Sequence, residues 1–290
     1  MNPPKTGRLW YGLRRLAFPC CSASIIAVAY GAPAYIASAA VDGLSAESMA
    51  RHAAAPLWIA VYVLAVLAIL GAIGFATSRS IRPGIFARDL GDPVYFGRRV
   101  YGCAWNCLYY FSPIYAACLA IGPLRWWVFR SFGYKGTLDF VIQPDTWIRD
   151  LPLLSFGKGA YLANKATLGT NVVLRSGYIL VGRIRVGCRS AVGHGAALGP
   201  GVVVGDMSEI GVHTQVGVDT VIGSSVRIES ACSISHKVTI EDRVSIGGRS
   251  CLGPGVVVCS GERLPVNSFR RRRDVARGDV IESEQDEVAL

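Results

Sequence analysis

Histidine is scarce in this chain, and its cysteines lack the spacing of a metal site. Four His and nine Cys occur among 290 residues. The Cys form no pairs with the spacing that zinc sites use, so we expect no metal centre and free thiols in a reducing compartment. Motifs that interleave aromatic and basic residues are missing from the second half. Their absence argues against nucleic acid as a partner, although the net charge is +10.

Charged residues are missing from two long stretches in the first half. Residues 16–40 and 53–77 each contain 25 uncharged residues, and roughly 20 apolar residues suffice to span a bilayer. The mean hydropathy of +0.37 is high for a soluble protein. We predict two transmembrane helices here, with buried helices of a soluble protein as the alternative.

The distribution of basic residues predicts the side of the membrane on which each loop lies. Arg14 and Arg15 precede the first stretch, and five Arg lie between residues 79 and 99. Asp42 and Glu47 lie between the two stretches. The positive-inside rule therefore places the N-terminus and residues 78–99 in the cytoplasm.

A third uncharged stretch, residues 100–124, has a different character. It contains Pro113 and Pro123, and basic residues follow it as well as precede it. Because proline interrupts a helix, we predict a re-entrant or interfacial segment rather than a third crossing. The alternative, a true third crossing, puts the second half of the chain outside the cytoplasm.

A six-residue period dominates the second half. Eighteen apolar residues occupy every sixth position from Phe156 to Val258, Leu174 and Leu180 among them. Gly follows the apolar residue in eleven of seventeen hexads, which suits a close backbone approach or a positive φ. The period matches a parallel β-helix, in which three hexads close one coil, and it predicts about six coils.

The hexads resemble those of the hexapeptide-repeat acyltransferases, and this resemblance implies a left-handed parallel β-helix. The order of the whole chain resembles a narrower group, the membrane-associated C-terminal module of polylysine-type nonribosomal peptide synthetases and its stand-alone relatives. The similarity covers residues 79–268 and rests on residues 129–136, 154–160 and 261–265. Where that group has a Thr-His pair, this chain has Thr170-Asn171, so a catalytic base must be found elsewhere.

Four regions follow from these patterns, with N-terminal transmembrane α-helices before a C-terminal β-helix. We predict a transmembrane hairpin with a basic cytoplasmic flank over 1–100 and a re-entrant or interfacial segment with a linker over 101–135. The left-handed β-helix is predicted over 136–268, and a basic then acidic tail over 269–290. The predicted location is the bacterial inner membrane, with the β-helix on its cytoplasmic side.

The resemblance implies a His as general base, acyl-coenzyme A as donor and no metal. His236 stands two residues after Ile234 and resembles the element that carries the catalytic His of sugar N-acetyltransferases. One coil is eighteen residues, so we expect Asp219 to lie beside His236 as an orienting carboxylate. The alternative is an exposed turn His with a nearby Asp.

A second group of candidates is expected on another corner. His194 and His213 lie one coil apart, and Arg249 lies two coils further on, so the three share a corner suited to an anion such as a coenzyme A phosphate. In the resembling enzymes acyl-coenzyme A lies between subunits of a trimer. His194 is a further candidate base. The candidate coenzyme A contacts are Gly247, Gly248, Arg249, His213 and Pro254. Scattered solvent-facing turn residues are the alternative.

These observations together predict a membrane-anchored, trimeric acyl-coenzyme A-dependent O- or N-acyltransferase. Its acceptor is expected to be a lipid-linked sugar or an amphiphilic metabolite that reaches the site from the bilayer. One alternative is a non-catalytic trimeric scaffold for other biosynthetic proteins. Another is a module that forms peptide or amide bonds, for which a partner must supply a carrier-bound donor because the chain has no carrier segment.

Overall fold

The computed structural model describes residues 8–42 and 55–271, and the chain forms two compact units. The first contains the described residues up to Ile81 together with Phe86–Tyr134, and the second contains Arg82–Ile85 and the residues from Lys135 onward. Glu47 and His52, which lie between the two uncharged stretches of the sequence, and the predicted tail beyond Arg271 are outside the described residues.

The first unit is helical. Its helices are α1 (Arg8–Asp42), α2 (Ala55–Thr77), α3 (Pro93–Tyr109), α4 (Ser112–Ala120) and α5 (Gly122–Ser131). Two stretches of this unit are long and apolar enough to cross a membrane, Gly12–Ala39 within α1 and Pro56–Ser80, which contains most of α2. They overlap the two uncharged stretches of the sequence.

Residues 100–124 do not form one continuous helix. Helix α3 ends at Tyr109, and α4 and α5 begin with Pro113 and Pro123 in their first turns. Proline is tolerated in a first turn, where its missing N–H has no intrahelical partner. The two prolines therefore divide this stretch at the places where the chain changes direction.

The second unit is a parallel β-helix, as the hexads predict. Its first sheet contains seven strands, β2 (Phe140–Ile142), β4 (Ala160–Leu162), β9 (Ala191–Val192), β12 (Glu209–Ile210), β15 (Arg227–Ile228), β18 (Ser245–Ile246) and β21 (Arg263–Leu264). The second contains β5 (Thr167–Leu168), β10 (Ala197–Leu198), β13 (Gln215–Val216), β16 (Ser233–Ile234), β19 (Cys251–Leu252) and β22 (Phe269–Arg270). The third contains β3 (Leu154–Phe156), β8 (Ile184–Val186), β11 (Val203–Val204), β14 (Val221–Ile222), β17 (Thr239–Ile240) and β20 (Val257–Val258).

The β-helix is longer than the sequence predicts. The first sheet has seven strands, so about seven coils are present rather than about six. The extra coil begins at Phe140, before the first hexad that the period identified, and the last strand ends two residues beyond the predicted boundary at 268. From Val186 onward, each residue lies beside the residue eighteen positions further on, for example Val204 beside Ile222.

A β-hairpin interrupts the coils, and this corrects the predicted register. Strands β6 (Asn171–Val173) and β7 (Tyr178–Val181) pair antiparallel, and β1 (Gly84–Ala87) adds a third strand beside β7. Leu174 and Leu180, predicted to face the core of the β-helix, are half-buried residues of this hairpin. The hairpin leaves the coil after Leu168 and adds twelve residues, two whole hexads, so the six-residue count continues across it without a visible break.

The turns explain the glycines after the inward apolar residues. A Cβ at Gly205 would lie 2.5 Å from backbone atoms of Gly223, and one at Gly211 would lie 2.4 Å from the carbonyl carbon of Glu229. Close approach between coils is therefore the reason for these glycines. Positive φ occurs two residues later in the turn, at a position that is Gly in some turns, for example Gly201 (φ 84°), and non-Gly in others, for example Met207 (φ 54°).

Candidate active site

The structure divides the predicted site residues between two corners of the β-helix. The corner between the first and second sheets, called the histidine corner below, contains His194, His213, Gly247, Gly248 and Arg249. The corner between the second and third sheets contains the other candidates, Asp219, His236 and Pro254. The two groups therefore cannot act as one site within a single chain.

Backbone hydrogen bonds stack the residues of the histidine corner. The amide of His213 donates to the carbonyl oxygen of His194 at 2.9 Å, and the amide of Arg249 donates to that of Ser230, also at 2.9 Å. Lys165 belongs to the same corner, one coil earlier. The residue before it in the chain, Asn164, accepts a hydrogen bond at its carbonyl oxygen from the Gly195 amide at 3.1 Å. Lys165 was missed in the sequence, although it stands at the same place in its hexad as His213.

The two imidazole rings of this corner touch each other. The ring centroids of His194 and His213 are 5.6 Å apart and the rings are nearly perpendicular, at 87°. The ring of His213 lies over Gly195, where a Cβ would come within 2.5 Å of its Nδ1 atom. Within residues 8–42 and 55–271, neither ring has a hydrogen-bond partner, and His194 is half-buried whereas His213 is exposed. Free ring nitrogens can accept a proton or a ligand.

An open groove of about 790 Å³ runs along the first sheet and the histidine corner. Its charged and polar lining residues are Tyr161, Glu209, Arg227, Glu229, Ser230 and Arg249. Arg227 Nε lies 3.4 Å from Glu209 Oε2, and Glu229 Oε2 accepts a hydrogen bond from the Gly248 amide at 2.8 Å. The groove therefore has alternating charges along its length and a cation at the corner.

Only part of the predicted coenzyme A contact set lines this groove. Gly248 and Arg249 do so. Gly247 instead allows two coils to approach, because a Cβ there would lie 2.5 Å from the Val266 nitrogen. Three other lining residues were not predicted from the sequence, namely Tyr161, Glu209 and Arg227. Each stands one residue before an inward apolar residue of the first sheet, and that spacing was the available signal.

His236 takes part in a hydrogen bond that supports the coil. Its Nδ1 atom accepts from the backbone amide of Val218 at 2.9 Å. A neutral imidazole that accepts at Nδ1 carries its proton on Nε2. Neither nitrogen of His236 is then available to remove a proton from a substrate while this bond holds.

The same bond occurs elsewhere in the β-helix with carboxylates. Asp206 Oδ1 accepts from the Cys188 amide at 2.7 Å, and Asp242 Oδ1 accepts from the Ser224 amide at 2.6 Å. Both Asp stand two residues after an inward apolar residue, as His236 does. His236 therefore occupies a position at which the fold uses side-chain acceptors.

Asp219 does not pair with His236 in the structure. Its amide donates to the carbonyl oxygen of Pro200 at 3.0 Å, and its carboxylate lies over Gly201. Across the described part of the chain, no hydrogen bond or ion pair joins Asp219 to His236. The predicted pairing is thus corrected, because stacking at eighteen residues places Val218, not Asp219, beneath the His.

Asn171 lies at the base of the hairpin in a polar cluster. Its Oδ1 atom accepts from Arg149 at 2.9 Å. The Thr170 hydroxyl donates to Asp150, whose carboxylate is fully buried and also accepts from Arg149 at 3.3 Å. These contacts fasten the hairpin to the first coil, and they offer no base at this position.

Among the described residues, no group of three or more His, Cys, Asp or Glu side chains could hold a metal ion.

Comparisons with known proteins give similarity of fold. No family model matches the chain, and no curated protein sequence matches it. A solved mutant of perosamine N-acetyltransferase from Caulobacter crescentus, in complex with CoA and GDP-perosamine, is 14% identical over 50% of this chain and 57% of its own, with a TM-score of 0.30. A UDP-N-acetylglucosamine acyltransferase from Bacteroides fragilis is 15% identical over 49% and 58% of the two chains, with a TM-score of 0.26. The N-acyltransferase AntD from Bacillus cereus is 14% identical over 51% and 90%, with a TM-score of 0.23.

This chain spans a little over half the length of the first two of these proteins. At such identities the similarity concerns the β-solenoid fold.

Proposed function

We propose that the chain is an acyltransferase that moves an acyl group from coenzyme A to an amine or hydroxyl in the groove beside the histidine corner. The observation that carries this proposal is the His194–His213 pair, whose ring nitrogens have no hydrogen-bond partner within the described residues. Neither ring lines the groove itself, but Gly193 and Val212, which directly precede His194 and His213 in the chain, do line it. The groove is large enough for a small organic ligand. The hexads, which resemble those of acyltransferases, support the same reaction class.

The reaction needs a group that accepts a proton and then returns it. The acceptor nitrogen or oxygen attacks the thioester carbonyl carbon, its new bond to the acyl group forms, and the carbon–sulfur bond breaks. The proton lost by the acceptor goes to the base and then to the departing thiolate, so that coenzyme A leaves as a thiol. Imidazole suits this exchange because it gains and loses a proton near neutral pH.

His194 is the base that the geometry favours over His236. It is half-buried, its nitrogens have no hydrogen-bond partner, and the adjacent Gly193 lines the groove. His213 contacts the His194 ring and limits its rotation. His236 is engaged by the Val218 amide, so its role in this proposal is to support the coil.

The cations of the histidine corner suit the phosphates of the donor. Lys165 and Arg249 are on this corner, and Arg249 lines the groove. Arg binds phosphate oxygens through paired N–H donors, and Lys binds them as a point charge. The Gly248 amide belongs to the same part of the groove but already donates to Glu229.

The membrane and the trimer are further parts of the proposal. Helices α1 and α2 have the length and hydropathy of transmembrane helices, which suits a lipid-linked or amphiphilic acceptor. The outward residues of the second sheet are uncharged from Thr167 to Phe269 and mostly small, namely Thr167, Ala197, Gln215, Ser233, Cys251 and Phe269. Such a face suits contact with another copy of the chain in a closed trimer.

Binding of the donor tests the proposal before the acceptor is known. Acyl-coenzyme A at a hundredfold excess over its dissociation constant should stabilise the full chain by about 2.7 kcal/mol. The measurement is a thermal unfolding series in detergent with acetyl-, butyryl- and longer acyl-coenzyme A. Arg249→Gln should weaken the effect, and Arg243→Gln, on another corner, should not.

Release of coenzyme A in the presence of extracted membrane lipids, followed by mass spectrometry, then tests transfer. No stabilisation with any donor, together with no release, would favour the non-catalytic scaffold. Release that requires a carrier-bound donor would favour the peptide- or amide-forming module.

A further inference from the structure

The first coils of the β-helix carry a collar of exposed cations. All six of its side chains are solvent-exposed, and they are distributed around the coils and the hairpin: Lys158, Lys165, Arg175, Arg183, Arg185 and Arg189. No Asp or Glu occurs from residue 151 to residue 205. Lys158 has one weak partner, Asp139, at 3.8 Å, and both side chains are mostly exposed. Among the described residues, no other carboxylate forms an ion pair with the collar, so most of its positive charge is exposed to solvent.

Within the described part of the β-helix, the net positive charge lies at this end. Residues 135–205 contain eight Lys and Arg against three Asp, a net charge of +5. Residues 206–271 contain seven basic and seven acidic residues and are neutral overall. A partner that recognises charge is thus directed to the first coils.

Large apolar side chains are exposed among these cations. Val141 is 51% exposed, Tyr161 40%, Val173 50% and Tyr178 45%. Val141 and Tyr161 are outward neighbours on the first sheet, and Val173 and Tyr178 belong to the hairpin. Exposed apolar groups within a basic surface are typical of proteins that lie at the interface of a bilayer.

The chain enters the β-helix at this same end. Six residues join α2 to strand β1, which pairs with the hairpin, and eight residues join α5 to strand β2. A residue spans at most about 3.6 Å. If α2 crosses a membrane, which is the anchoring part of the proposed function, this short connection keeps β1 near the surface of that membrane.

We propose that the collar and the exposed apolar side chains bind an anionic phospholipid surface. The collar cations other than Lys165, which the proposed function assigns to the donor, would contact lipid phosphates, while Val141, Val173 and Tyr178 enter the headgroup region. Anionic leaflets attract basic segments in this way, and each cation strengthens binding about fivefold. Nucleic acid would also meet the cations, but it offers no apolar surface for the aliphatic side chains of Val141 and Val173, so the lipid surface fits better.

The test uses the full chain reconstituted in nanodiscs of phosphatidylcholine, with or without phosphatidylglycerol. Hydrogen exchange with mass spectrometry reports the protection of the hairpin, residues 171–183. Phosphatidylglycerol should slow exchange there at least fivefold, and high salt should remove the effect. The coils beyond residue 233 serve as an internal reference and should not change.

Matched variants separate the collar from charge in general. The triple variant Arg175→Gln, Arg183→Gln and Arg185→Gln should lose the added protection. A control triple at the opposite end, Lys237→Gln, Arg243→Gln and Arg263→Gln, should keep it. All six side chains are exposed, so equal thermal unfolding of the two triples verifies that neither disturbs the fold.

Three outcomes would overturn the inference. Exchange that is the same in both kinds of nanodisc shows that the hairpin does not meet the lipid. Protection that persists in the collar triple shows that other residues carry it. Protection of the hairpin by an RNA or DNA duplex in phosphatidylcholine nanodiscs, with none from phosphatidylglycerol, assigns the collar to nucleic acid. Failure of the anchoring proposal is a separate result, because the chain would then not remain with either kind of nanodisc.

Discussion

Substitutions of His236 distinguish a catalytic base from a structural hydrogen-bond acceptor. In His236→Asn an oxygen can replace Nδ1 as the acceptor for the Val218 amide, as Asp206 and Asp242 do at matching positions. In His236→Ala the acceptor is lost. Because this bond is solvent-exposed, water replaces it in part, and we expect His236→Ala to lower the free energy of unfolding by about 0.5 kcal/mol, the low end for a hydrogen bond. His236→Asn should cost less.

Acyl transfer provides the second measurement for the same variants. If His194 is the base, neither His236 substitution changes the rate, whereas His194→Ala lowers it by about 10²–10⁴-fold. Stability is measured by denaturant unfolding and transfer by coenzyme A release, on the same protein preparations. His213→Ala should lower the rate less than His194→Ala does, because it removes a ring contact but leaves the proposed base in place.

The result that refutes this reasoning is specific. A His236→Asn protein that unfolds like the wild type but has lost a hundredfold or more of its transfer rate would identify His236 as the base. The groove beside the histidine corner would then not be the place of reaction.

Three further predictions concern stability and reactivity. Gly211→Ala should lower the free energy of unfolding by about 1–3 kcal/mol through overpacking against the next coil. Gly169→Ala should raise the free energy of unfolding by about 0.4–1 kcal/mol, because its Cβ would have no neighbour closer than 3.5 Å. Denaturant unfolding of both variants checks these opposite signs. Equal effects would contradict the explanation that coil contact requires Gly211. Burial raises the pKa of the Cys232 thiol, so maleimide near neutral pH should label the exposed Cys188 and spare Cys232 until the chain unfolds, as peptide mapping will show. Asp150→Ala should cost about 1.5–3 kcal/mol because it removes a buried charged acceptor, and an unchanged unfolding midpoint would show that its cluster does not fasten the hairpin.

The six-residue period was sufficient to predict the β-helix but not its length. Ile148 belongs to the first coil and is buried, yet it stands eight residues before Phe156 rather than six, because the short helical turn Leu151–Leu153 intervenes. A strict period cannot follow a coil that contains two additional residues. The hexad count therefore began one coil too late, although the predicted start of the β-helix at residue 136 includes that coil. Leu174 and Leu180 were counted as core residues because the hairpin contains a multiple of six residues.

The site was predictable where it depends on stacking. Counting by eighteen residues brings His194, His213 and Arg249 to one corner, and the structure shows all three there. Counting by eighteen was less useful for His236. The residue eighteen positions before it is Val218, and Asp219 is one residue further along the chain, where it does not contact the His. The charges in the groove were not predicted at all, since Glu209 and Arg227 attract notice only once the outward face of the first sheet is known.

The hairpin also shows how such a protein can acquire new parts. Its base is closed by the Gly182 amide, which donates to the Thr170 carbonyl oxygen at 2.9 Å, and the coil resumes at Ile184 beside Leu154. The strands before and after the insertion keep the places they would have in an uninterrupted coil. This corner of the solenoid thus accommodates a twelve-residue insertion without altering the strands above and below it. Loops for new acceptors can thus be grafted at such corners, and replacing residues 171–181 with a turn of a few residues should leave the β-helix intact.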